Sequence, residues 1–137
     1  MQVIISAHGY VIGFVVIGAW AVICLWAIAL RLLGSSDTPI FWRAVSVAQL
    51  LLVLQLVLGL VLVGNWALGR GGAPGGGGWF NWLFHLLYGI GFPFVVLLIG
   101  HRLARDGRYQ PHSVFAVVGL AIFGLTARAW QVGILGS

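Results

Sequence analysis

The sequence predicts an all-α integral membrane protein, a single four-helix transmembrane bundle, and three observations carry that prediction. Of 137 residues 61% are hydrophobic and only 7% charged, an apolar share above that of an ordinary soluble domain. The apolar residues fall into four runs, each long enough to cross a ~30 Å hydrocarbon layer at ~1.5 Å per residue. The few charges lie mostly at the ends of those runs: seven cations, all arginine, and two acids, Asp37 and Asp106.

The first run spans about residues 3–33, closing on Arg31 and the turn Gly34-Ser35-Ser36-Asp37-Thr38-Pro39. It is longer than the hydrocarbon layer requires, which predicts tilt or protrusion at one end. It reads as a span and not a signal peptide, because a basic start and a cleavage box are missing and the run is too long. The second spans about 42–66 and is interrupted by Gln49 and Gln55, which are expected to bond to neighbouring helices. The glycine-dense link Gly69 to Gly78 then predicts a flexible surface loop; it lacks the lysine and hydroxyl of a phosphate cradle. The third run, about 79–105, opens on an aromatic cluster, carries Pro93 as an expected kink, and ends on arginines. A polar turn from Asp106 to His112 leads to the fourth, about 113–135.

Arginine placement predicts orientation. Arg31 and Arg43 flank the first loop and Arg102, Arg105 and Arg108 the third, against Arg70 alone in the second. Odd loops are therefore expected in the cytoplasm and both termini outside. Trp66, Trp79, Trp82 and Trp130 would form an aromatic belt at the outer surface.

Composition also removes function classes. Without glutamate, and with two acids at loops, paired-carboxylate catalysis and carboxylate proton relays have almost no residues to use. The net charge of +5 does not predict a nucleic-acid partner, since the arginines lie at helix ends with no basic run and interleaved exposed aromatics. Cys24 is alone in an apolar helix and predicts core packing rather than a disulfide or a metal thiolate.

His8 and His85 are the residues that ask for a function. Under the predicted topology both lie a few residues below the outer end of a helix, one on the first span and one on the third, at a shared depth. First and third helices face each other diagonally in a bundle with short connections. Two imidazoles converging across the core suit bis-histidine ligation of a b-type haem. Gly89 and Gly91 near His85, and Gly9 and Gly13 near His8, would leave flat surface for a porphyrin. Arg128, within the fourth span near the same level, would find a charge partner in a haem propionate. The other reading of the pair is structural, with His85 bonded to a carbonyl or a glutamine. His101 and His112 bracket one turn on consecutive helices, too close for a macrocycle between them, and are expected to be interfacial. The segments His8-Gly-Tyr-Val-Ile-Gly-Phe-Val-Val-Ile-Gly and His85-Leu-Leu-Tyr-Gly-Ile-Gly-Phe-Pro-Phe-Val-Val-Leu-Leu-Ile-Gly also resemble each other, as two pseudo-repeated hairpins would.

Four spans, His8 and His85 on the odd helices, and the stretch HLLYGIGFPFVVLLIGHRLAR resemble four-helix b-type membrane cytochromes, most closely one half of haem A synthase. The resemblance covers most of the chain and implies axial ligation by His8 and His85. That enzyme has two such bundles and a glutamate beside the histidines of its catalytic half; this chain has one bundle and no glutamate. The combined expectation is a haem b electron carrier or haem subunit of a respiratory or photosynthetic complex in the bacterial cytoplasmic membrane. Its partners would be lipid, a quinone or redox protein, and further copies or subunits. The alternative from a different class is a cofactor-free accessory or assembly subunit.

Overall fold

A computed structural model describes residues 2–70 and 78–135, with side chains described to residue 133. Among these residues all regular structure is helical, in four long elements: α1 Gln2–Leu32, α2 Pro39–Ala67, α3 Trp79–Arg105 and α4 Pro111–Leu135. Each is long and apolar enough to cross a membrane, so the chain is a multi-pass membrane protein folded as a four-helix bundle. Most of the glycine-dense link, residues 71–77, lies outside the described residues.

Helix ends follow local chemistry. α2 starts three residues before the expected 42, because Thr38 Oγ1 accepts from Phe41 N at 3.3 Å and Pro39 takes the first helical position, where its missing N–H costs nothing. Gly34 and Gly107 close α1 and α3 with φ of 61° and 71°, a conformation only glycine enters freely.

Packing is uneven around the bundle. α1 and α4 make the most extensive contact, α2 lies on α1 and α3 on α4; α1 and α3 then oppose each other diagonally. Gly119 makes the central contact possible, since a Cβ there would lie 2.9 Å from Cys24 N and 3.0 Å from its Cα. The core runs along α1 at Val16, Trp20, Ile23, Ala27 and Leu30, meeting Phe41, Val45, Ala48 and Leu52 of α2 and Phe115, Val118 and Ile122 of α4. Spacings of three and four place each set on one helical face.

This dense core fills the arginine-rich end. Towards the other end it thins: no described residue of α1 before Gly13, of α2 after Leu52, or of α3 before Pro93 is fully buried. Only α4 continues it, with Ala129 and Val132.

Both odd helices also depart from α geometry at that thin end. A π-helical turn covers Ala7–Ile12 in α1 and Leu87–Gly91 in α3. In α3 it precedes Pro93, and a widened turn accommodates the carbonyls a proline displaces. α1 has no proline there, so proline alone does not explain the pair.

Candidate functional site: a histidine pair across the bundle

His8 and His85 meet inside the thin end. Their ring centroids lie 6.1 Å apart with the planes at 68°. The π turns sit at or just after these two histidines, giving α1 and α3 the same local build and strengthening the likeness of the two segments.

α4 sets the His85 ring. Its Nδ1 lies 2.9 Å from Ala129 O; a carbonyl only accepts, so Nδ1 donates and the neutral ring keeps its lone pair on Nε2. A Cβ at Gly133 would fall 2.7 Å from His85 Cε1 and 2.9 Å from Nδ1 but 3.8 Å from Nε2. Gly133 therefore admits the Nδ1–Cε1 edge, and Nε2 points away from α4. A carbonyl holding one imidazole nitrogen while the other stays free is how proteins orient histidine ligands.

α2 sets His8 in a parallel way. A Cβ at Gly59 would lie 3.1 Å from His8 Cε1, and Gln55 Nε2, one turn earlier, donates to His8 O at 2.9 Å. Trp130 Nε1 of α4 donates to Gly9 O at 2.7 Å. These two bonds serve carbonyls within the π turn, where the helical ladder is disturbed. His8 Nδ1 is buried without a hydrogen-bond partner.

The remaining expected residues fall elsewhere. Gly89 packs towards Ala129, to whose Cβ an added Cβ would lie 3.6 Å; it brings α3 close to α4 rather than presenting a bare surface to the pair. Arg128 is exposed on α4 and donates to Gln131 Oε1 at 2.8 Å. Trp130, expected in an interfacial belt, turns inward to Gly9, whereas Trp66 and Trp79 do cluster on Trp82, with centroids 5.7 and 5.0 Å from it. The residues that sequence reasoning missed are Gly59, Ala129 and Gly133. Their only signal is spacing: Gln55 and Gly59, like Ala129 and Gly133, are four apart on one helix face.

The arginine-rich end holds a separate polar cluster. His112, expected at an interface, is 4% exposed, with Nδ1 3.6 Å from Asp37 Oδ1. It is buried because α4 starts beneath the α1–α2 loop. Asp37 also accepts from Trp42 Nε1. Burial raises the Asp37 pKa, but the Trp42 indole and His112 outweigh it and bring it below the ordinary carboxylate value. Gln49 Nε2 donates to His101 Nε2 at 2.7 Å, and Arg31 to Gln110 Oε1 at 2.9 Å.

Chemically, the separation of the His8–His85 pair suits a metal held between the two rings. Imidazoles bonded at ~2.0–2.1 Å on opposite faces of one ion put their ring centres roughly 6 Å apart, close to the separation here. Among the described residues no three His, Cys, Asp or Glu side chains gather as a metal site. Two protein nitrogens are few for a bare ion, but they are the number needed where a macrocycle supplies the other four. The orphaned His8 nitrogen, the glycine cradles and the thinning core all fit such a group. Comparison of the chain with known families, with curated proteins and with solved structures finds no match.

Proposed function

We propose that the chain is a membrane haem b protein for electron transfer, in which His8 and His85 would together hold one haem near the outer surface. The observation that carries this reading is the 6.1 Å pair, two imidazoles on diagonal helices each seated on a glycine of the next helix. Bound haem would supply one-electron chemistry at its iron. The chain's own part is to hold two neutral imidazoles at fixed rotation. Ala129 O fixes the His85 tautomer, and Gln55 and Trp130 fix the π turn that presents His8. The arginine distribution orients the histidine end outward, in a bacterial cytoplasmic membrane, where a quinone or redox protein would exchange electrons with it.

Arg128 keeps a role only at the periphery, where its exposed guanidinium would interact with propionates reaching past α4. Loss of its charge through Arg128→Leu is expected to lower the reduction potential while haem is retained, because a nearby cation favours the reduced iron. A redox titration of the two proteins reads this directly, and an unchanged potential removes Arg128 from the site.

A second reading has an observation of its own. An edge-on ring contact, worth ~0.5–1.5 kcal/mol for aromatic pairs, can be structural, as in a cofactor-free accessory subunit. Haem content separates the two. Protein expressed with ample haem is expected to carry about one haem per chain, and His8→Ala or His85→Ala to lose six-coordinate haem. Cofactor-free wild type, or haem that survives loss of both histidines, would establish the structural reading.

A further inference from the structure

Three of the four seams of this bundle are zipped by glycine. Gly119 lets α4 meet the α1 backbone at Cys24; Gly100 puts α3 against Val118 of α4, with Gly89 on Ala129 further along; Gly59 seats His8 of α1 on α2. The fourth seam, between α2 and α3, has no such contact among the described residues. Gly64 of α2 has nothing within 4 Å of an added Cβ, and Gly91 of α3 would meet only Leu87 of its own helix. Helix α2 makes extensive backbone approach to α1 alone.

The α2–α3 seam is instead bridged by side chains at two levels. Gln49 bonds to His101 near the arginine-rich end, at 2.7 Å. Trp66 rests on Trp82 near the opposite end, with centroids 5.7 Å apart. Between these bridges lie the α2 residues beyond Leu52 and the α3 residues before Pro93, none of them fully buried, and behind them the two imidazoles. This stretch of α2 is apolar apart from Gln55, which donates to His8 O, and Asn65 at its end, which donates back to Val61 O of its own helix. Among the described residues this wall packs its backbone on one neighbour and meets the other through side chains, so it is the wall that can swing.

We infer that α2 is a gate, and that the α2–α3 seam is the route by which haem reaches His8 and His85 from within the bilayer. The inference rests on the haem reading above and adds the path and the moving part. A flat, largely apolar macrocycle partitions into the membrane, so a lateral path spares it a passage through water. Swinging α2 away from α3 breaks the Gln49–His101 bond and the Trp66–Trp82 contact but, among the described residues, no glycine-packed interface, whereas parting any of the other three seams opens one.

The test is haem uptake by the purified apoprotein in liposomes. In a Cys24→Ala background, Gln49→Cys with His101→Cys, and separately Trp66→Cys with Trp82→Cys, are prepared with and without a short thiol-to-thiol crosslinker. Growth of the low-spin haem absorption is followed after haem addition. Crosslinking is expected to slow uptake at least tenfold against the same uncrosslinked protein, and Gln49→Leu, which removes one fastening, to speed it. Protein loaded first and crosslinked afterwards should keep its haem spectrum, showing that the link leaves the fold intact. Equal uptake rates with and without the crosslink would overturn the gate and point to entry from the bundle end, with the haem reading untouched. Wild type that takes up no haem would instead remove the haem reading and this inference with it.

Discussion

Gly133 is where a single methyl group has the clearest consequence. The 2.7 Å that would separate its Cβ from His85 Cε1 is shorter than non-bonded carbons tolerate, so Gly133→Ala must turn the ring and break its bond to Ala129 O. Overpacking of this kind costs about 1–3 kcal/mol. Thermal unfolding in detergent should show that loss, and bound haem should lose its low-spin signature. Gly124→Ala provides the contrast, because nothing lies within 4 Å of that position and alanine is favoured over glycine in a helix by ~0.5–1 kcal/mol. Equal effects from the two variants would show that the cradle does not constrain the ring. His8 and His85 were legible in the sequence because an imidazole is conspicuous in an apolar run. Gly59 and Gly133 were not, since glycines are frequent in membrane helices and only the fold says which one has a ring against it.

At the scale of elements, the π turn of α1 depends on bonds from two other helices. Trp130→Phe keeps the ring packing but leaves the half-buried Gly9 O without its donor, a loss of about 1 kcal/mol for a hydrogen bond. Gln55→Leu does the same to His8 O. Each variant should unfold at lower temperature, and the loss from the two together should fall short of the sum of the single changes if the turn acts as a unit. Invariant unfolding would place the turn's stability within α1 itself.

The α1–α2 loop carries a different dependence, on pH. Because the folded Asp37 pKa lies below its ordinary value, its contribution is fully present above the unfolded pKa of ~3.9 and disappears as pH falls through the lower folded value. Wild type should therefore lose stability below about pH 4, while Asp37→Asn should start lower at neutral pH and lack that acid-dependent drop. A matching acid profile in the two proteins would show that Asp37 does not supply it. The helix ends were readable from Pro39, Arg31 and the polar turns. The π turns were not, because apolar composition carries no register and a proline marks only one of them.

For the whole molecule, four apolar runs were sufficient to establish the class, since few other folds bury so little charge. The internal arrangement was harder to read. Lipid-facing and core-facing sides of these helices are both apolar, so periodicity cannot show that α1 and α4 form the dense centre or that α2 stands apart. Polar residues were better guides: Gln49 and Gln55 both bond across seams. His112 and Trp130 misled, because a polar side chain near a helix end can turn inward as readily as outward. Orientation is open to labelling. With buried Cys24 replaced by alanine, Gly78→Cys should react with an impermeant thiol reagent in intact cells and Ser36→Cys only after lysis. The reverse pattern would invert the molecule in its membrane without separating the histidines.

The central claim, that His8 and His85 hold one haem between them, is tested most directly by a reduced-minus-oxidised optical spectrum of the purified wild type beside His8→Ala and His85→Ala. Ligation by the pair gives the difference spectrum of a six-coordinate low-spin b-type haem in the wild type, and its loss in each variant. A featureless wild-type spectrum after expression with ample haem, or an unaltered one in either variant, would contradict it.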